Sequence, residues 1–350
     1  MKDLMCVLAI AMLSACVPTN KVNRPSDKAL KPVIITEPTP HDTDDPAIWI
    51  HPSDPSKSLI VGTDKDKDGG LYVFDLKGKI QKDKLALGLK RPNNVDIEYG
   101  LQLGDTAIDI AVTTERLTHK LRVFQLPNMN EIDGGGFPVF EGEEANAPMG
   151  VAIYKEPISK RIFAFVGRKT GPKEGYLWQY ELKDNGQAEL EMVLVRKLGA
   201  FSGTKEIEAI AVDDQLGYVY YADEGAGLRQ YYAHPDSSTM ELALFGQDGF
   251  AEDREGISIL PINEHDGYIL VSDQQANAFR VFSREGMEHA FVTSLPFSTN
   301  ESDGSDLTVL SLNETFSEGL FVAMSDDRTF QYYRLKDILS RIEASMASVD

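Results

Sequence analysis

Short apolar stretches of alternating pattern recur along the chain, each ended by a Gly- or Asp-containing turn. A period of two marks half-buried β-strands, and these stretches are rich in Val, Ile, Tyr and Phe, which suit a pleated surface. The strands fall into six segments of one grammar: an apolar strand, a turn, a β-rich run, a hairpin and an alternating aromatic strand. The first holds DDPAIWIHP, SLIVGT and GLYVFDL; the second NNVDIEYG, TAIDIAVTT and KLRVFQL; the third GVAIY, RIFAFVG and YLWQYEL. The fourth holds IEAIAV, YVYYADE and LRQYYA; the fifth EGISILP, YILVSDQ and AFRVFSR; the sixth SDLTVLSL, GLFVAMSD and FQYYRL. Anchored on Asp45, Asn94, Gly150, Glu208, Glu255 and Asp306, the repeat has a period of about 47–58 residues. Short strands repeating at such a period predict a β-propeller. The expected fold is all-β, a six-bladed β-propeller forming a single domain over 33–345. Helical periodicity is clear only near the end, in LKDILSRIEASMA.

The N-terminus follows a different pattern. Leu4 to Leu13 is an unbroken apolar run of ten residues, too short for a membrane-spanning helix, which needs about 20. It fits the apolar core of a secretory signal. The run ends in Leu13-Ser14-Ala15-Cys16, which resembles the lipobox of bacterial lipoproteins. That resemblance implies a signal over 1–16 and acylation of Cys16, with the membrane contacted through the lipid anchor alone. Val17 is not an aspartate, so in a Gram-negative source the expected location is the outer membrane or the periplasm-facing envelope. Were the lipobox unused, the protein would be secreted. Residues 17–32, polar and punctuated by proline, read as a flexible tether.

Composition narrows the chemistry. The two cysteines, Cys6 and Cys16, both precede the tether, so the body holds no disulfide, no thiolate nucleophile and no cysteine-ligated zinc. Asp plus Glu number 55 against 35 Lys plus Arg, a formal charge of −20. That balance excludes nucleic acid as a partner, which needs a basic face. The histidines form no RHGxRxP signature, and no phosphate-cradling glycine loop is present.

In a propeller the first strand of each blade lines a central channel. The loop leading into it and the hairpin between the second and third strands share one rim. Here those inner loops are acidic: Asp44 and Asp45, Glu206 and Glu208, Asp253 and Glu255, Asp303 and Asp306. The hairpins divide by charge. Blades one to three supply Lys65, Lys67, Arg116, Arg168 and Lys169; blades four to six supply Asp223, Glu224, Asp273, Asp326 and Asp327. Converging carboxylates repel unless a cation lies between them, and hard oxygen donors without cysteine favour calcium or magnesium. Clustered lysine and arginine beside them suit phosphate. The pattern points to a polyphosphorylated ligand bridged to carboxylates by metal ions.

These residues resemble the β-propeller phytases, calcium-dependent phosphatases of inositol hexakisphosphate. The resemblance runs from about His41 to Leu339 and is densest in Asp44-Asp45-Pro46-Ala47-Ile48-Trp49, Asn93-Asn94-Val95-Asp96, AVDDQLGYVYYADE and Arg254-Glu255-Gly256-Ile257. It implies several Ca2+ ions held by Asp44, Asp45, Glu208, Glu224, Asp253, Glu255 and Asp303, with Glu208, Glu255 and Arg116 at the catalytic centre. It implies phosphate binding by Lys65, Lys67, Arg116 and Lys169, and attack on phosphorus by a metal-bridged water. The expected partner is an inositol phosphate, as its calcium complex, and the expected state a monomer. Three departures stand out. Met149 replaces the family's usual tyrosine, Ala209 replaces a glycine, and the segment after Asp303 is shorter. The family's acidic residue upstream of Asp44 has only Glu37 as a candidate.

Two alternatives share the propeller: another calcium-dependent hydrolase, such as a lactonase or phosphodiesterase, and a non-catalytic lipoprotein scaffold. Asp64 to Gly69, DKDKDG, also fits the start of a calcium loop with ligands at alternate residues, although its flanks are strands. Trp49 and Trp178 are expected to pack between blades.

Overall fold

The structure, a computed structural model, describes residues 26–347. The signal segment and Cys16 lie outside the described residues. Six antiparallel sheets form six blades. Their inner strands are Thr43–Trp49, Pro92–Leu103, Pro148–Lys155, Ile210–Asp213, Arg254–Pro261 and Ser305–Thr308. Each touches the next, and the sixth returns to the first, so the ring closes around a channel.

Every blade gains an outer strand beyond the three that the pattern predicts. In the first blade it is Ala86–Leu89, buried only at its two ends. The sixth blade takes its outer strand from the other end of the chain: Ile34 pairs with Tyr332 and Ile35 with Gln331. The ring is therefore shut by the residues that follow the tether. The chain is docked before position 33, because Leu30 is buried beside Phe297 and its amide donates to the Pro296 carbonyl at 2.8 Å. The tether's final residues are thus part of the folded body.

Among the described residues, the apolar faces of neighbouring blades meet in six cores. Trp49, Val61 and Val95 fill one between the first and second blades, and Val112, Phe140 and Trp178 fill the next. Both tryptophans sit between blades, as expected. The helix Leu335–Ala347 buries Leu335, Ile338 and Ile342, the spacing of one helical face. That face covers the outer strand of the fifth blade, Phe291–Pro296.

Candidate active site

The rim owes its geometry to a repeated irregularity. The inner strands of blades one, two, three and five shift register near their first residues: between Thr43 and Pro46, Pro92 and Val95, Pro148 and Val151, Glu255 and Ile257. A β-bulge bends a strand and re-aims its side chains. The residues at these shifts are Asp44-Asp45, Asn93-Asn94, Met149-Gly150 and Glu255-Gly256. Glu208-Ala209 and Asp303-Gly304 occupy the matching places ahead of the remaining two inner strands. The first members make a ring around the channel mouth: Asp44, Asn93, Met149, Glu208, Glu255 and Asp303. Asp45, Asn94, Ala209 and Gly256, all second members, line the channel below. The second position must stay small where blades approach closely. A Cβ on Gly150 would overlap the Glu208 carbonyl oxygen, and one on Gly304 would overlap the Asp45 carboxylate.

Five of the predicted metal ligands, Glu208, Glu224, Asp253, Glu255 and Asp303, line one open cavity of about 310 Å³ with Lys65, Lys205, Glu206 and Gln274. Asp44 joins them through two bridges. Lys65 forms ion pairs with Asp44 and with Asp303, the second at 3.2 Å. The Asn93 amide donates to Asp44 at 3.0 Å and also to Glu208. Gln274 donates to Asp303. Asp253 accepts from Gln275 at 2.8 Å and pairs with Lys205. As placed among the described residues, the acidic groups are bridged by nitrogen donors, and no three His, Cys, Asp or Glu side chains already surround one metal position.

The electrostatics of the cavity are strained. Burial, then repulsion from Asp44, holds the Glu208 carboxyl well above the ordinary range, and Glu255 is raised by burial and then by Glu208 and Asp303. Glu224 is pushed up to about 8 by burial and then by Asp253, and Asp303 to about 7, chiefly by burial, against the pull of Lys65. The Oε2 atom of buried Glu255 has no hydrogen-bond partner. Oxygen-only donors that repel one another, one of them unsatisfied, fit a hard divalent cation.

Other predicted residues lie elsewhere. Asp45 turns into the channel, where its Oδ2 accepts from the Val95 amide at 3.1 Å. Asp306 is also in the channel wall and accepts from the Ile48 amide at 2.8 Å. Lys67 is exposed on its hairpin and outside the cavity. Lys169 pairs with Glu206 and lines an adjoining cavity with Asn146, Thr170 and Lys205. Arg116 is half-buried, with its Nη2 against Met149 Sδ and its Nε unpartnered. Burial lowers its pKa, and Glu208 opposes that shift.

Arg168 corrects the rim reading. It is fully buried, stacked 4.5 Å from the centre of Phe140 and bonded to the Ala145 carbonyl at 3.0 Å, so it is a core cation and not a rim group. Asp223 is likewise buried, held by Ser202 and Arg229. Glu37 pairs with Lys79 at 3.0 Å, away from the cavity. In the DKDKDG loop, Asp64 is buried and accepts from the amides of His41 and Asp42 and from the His41 ring. Its Oδ1 serves the two amides and its Oδ2 the imidazole, so both oxygens already have partners.

Asn93, Lys205 and Gln274 belong to the site although the sequence pattern assigns none of them a role, Asn93 standing only as part of the Asn93-Asn94-Val95-Asp96 match. The signal for Asn93 was its place in the repeat, since it stands in the second blade where Asp44 stands in the first.

The sequence matches the phytase family over residues 3–334. The chain belongs to the phytase family. The 3-phytase of Bacillus subtilis (strain 168) is 29% identical over 301 residues, covering 81% of this chain and 74% of that protein. Among solved structures, the computationally designed Ika8 protein covers 83% of this chain and 70% of its own, at 13% identity and a TM-score of 0.42. The Dos1 propeller covers 82% of this chain and 66% of its own, at 12% identity and a TM-score of 0.43. For this phytase-family propeller the expected class is borne out: a hydrolase of phosphate esters.

Proposed function

We propose that the chain hydrolyses phosphate monoesters of inositol hexakisphosphate in a calcium-dependent reaction at the channel mouth. The single observation that carries the calcium reading is the buried, unpartnered Glu255 Oε2 inside a ring of carboxyls that raise one another's pKa. Asp44, Glu208, Glu224, Asp253, Glu255 and Asp303 are the residues that would hold the ions. Bound calcium would supply Lewis-acid chemistry, lowering the pKa of a water and neutralising charge on the phosphoryl group. The chain's own cations do the remaining work. Arg116 and Lys169 flank the cavity and hold phosphate oxygens of the substrate through charge-assisted hydrogen bonds. Lys65, held charged by Asp44, Asp303 and Glu208 despite its burial, keeps the first and sixth blades in register at the site. No side-chain nucleophile is required.

We also propose that the propeller works as a monomer on the cell envelope, held by acylated Cys16 and contacting the membrane only there. The test of function is phosphate release from inositol hexakisphosphate by protein lacking residues 1–16, with calcium and with chelator. Release that needs calcium supports the reading. No release under either condition would favour a binding scaffold, and release untouched by chelator would remove calcium from the mechanism.

A further inference from the structure

The cavity has an outer lobe whose occupant is already present. Lys205 lies between blades three and four with φ of 58°, in the left-handed region that a lysine seldom adopts. Its ammonium pairs with Asp253 Oδ1 and lines the same cavity as Glu206, Glu224 and Glu255. It also lines the adjoining cavity with Lys169, Glu144 and Glu206, so it stands at the boundary between the two cavities. The other oxygen of Asp253 accepts from Gln275 at 2.8 Å, leaving Oδ1 as the oxygen turned toward the lobe. Nearby, the buried Oε2 of Glu255 has no partner. A divalent cation entering this lobe would need Asp253 Oδ1, which Lys205 holds.

We propose that Lys205 is a built-in competitor for the divalent cation at Asp253 and Glu224, weakening the site's affinity until the ammonium is displaced toward the adjoining cavity. Two cations cannot share one carboxylate oxygen at contact distance without strong repulsion. The lysine side chain is 44% exposed, so it leaves at small cost, as expected for a surface ion pair. The inference rests on the calcium reading above, but assigns a role to a residue that reading does not use.

The test is a calcium titration by calorimetry on wild-type, Lys205→Met and Lys205→Arg proteins, with no substrate present. Lys205→Met should tighten the weakest calcium step by about two- to fivefold, the size of one partly exposed ion pair. Lys205→Arg, which keeps the charge, should titrate like the wild type. A Lys205→Met protein whose affinity is unchanged or weaker overturns the competitor role while leaving the calcium site intact. A wild-type protein that binds no calcium overturns both readings together.

Discussion

Lys65 on the first blade places its ammonium 3.2 Å from the Asp303 carboxylate on the sixth, so one ion pair spans the seam where the ring closes. The same ammonium pairs with Asp44. Removing one partner of a buried pair leaves uncompensated charge and costs about 3–5 kcal/mol. Lys65→Met should therefore lose about 3 kcal/mol of unfolding free energy, near the lower bound because the lysine is partly exposed. Excess calcium should restore part of the loss. Urea unfolding with chelator and with calcium checks both; a variant as stable as wild type in chelator refutes the bracing role.

The raised carboxyls give the metal-free protein an inverted pH dependence. A group whose pKa rises on folding keeps a proton in the folded chain that the unfolded chain has lost, so stability falls as pH climbs between the two values. Glu224 rises from 4.5 to about 8 and Asp303 from 3.8 to about 7. In chelator the melting temperature should fall from about pH 4.5 to pH 8 and level off above. Calcium should flatten that decline, because it favours the ionised carboxylates. Thermal unfolding across this range, with and without calcium, is the measurement. A chelated protein that gains stability toward pH 8 contradicts the strained cluster.

Glu208 and Glu255 should behave as a pair. Their glutamine variants keep shape and remove charge, so each should weaken calcium binding by at least tenfold, about 1.4 kcal/mol, and lower turnover in step. Because both folded carboxyls sit well above the ordinary range, each variant should also be more stable than wild type in chelator. A variant with full activity and unaltered calcium affinity removes that glutamate from the site.

The blade grammar was legible because half-buried strands advertise themselves by alternation. The outer strands did not: Ala86–Leu89 is buried only at its ends, and the closing strand Ile34–Ile35 stands far in sequence from the blade it completes. Site residues were legible as types and less so as positions. Arg116 and Arg168 both end second strands of their blades or lie just beyond, yet one faces the mouth and the other is sealed against Phe140, Tyr176 and Trp178. That difference depends on neighbouring strands. Asp44 and Asp45 are adjacent in sequence, and only the bulge sends one to the rim and the other into the channel.

Cys16 follows Leu-Ser-Ala, and acylation there would fix the protein to an envelope membrane. Cys16→Ser should shift it from the membrane fraction to a soluble or mis-sorted form while leaving the purified propeller's activity unchanged. Fractionation with metabolic lipid labelling reads this out. An unlabelled wild-type protein that stays soluble in its host would show that the lipobox is not used.

The three basic candidates outside the acidic cavity should separate by their placement. Arg116 is half-buried, its Nε lacks a partner and Glu208 acts on it, so it is poised to accept an anion. Losing one charge-assisted contact costs about 1.5–3 kcal/mol, which is roughly tenfold to a hundredfold at 1.4 kcal/mol per decade. Arg116→Ala should lower kcat/KM by that factor and leave calcium affinity nearly intact. Lys169 is exposed and already paired with Glu206, so Lys169→Ala should act through KM and by less, within about fivefold, as for a surface ion pair. Lys67 is exposed and outside the cavity, and Lys67→Ala should match wild type. Steady-state kinetics on inositol hexakisphosphate beside calcium titration distinguishes the three. Equal effects from all of them would mean that long-range charge, not placed contacts, draws the substrate, and higher salt would then erase the differences from wild type. A wild-type rate for Arg116→Ala would move the phosphate site away from the Met149 side of the ring.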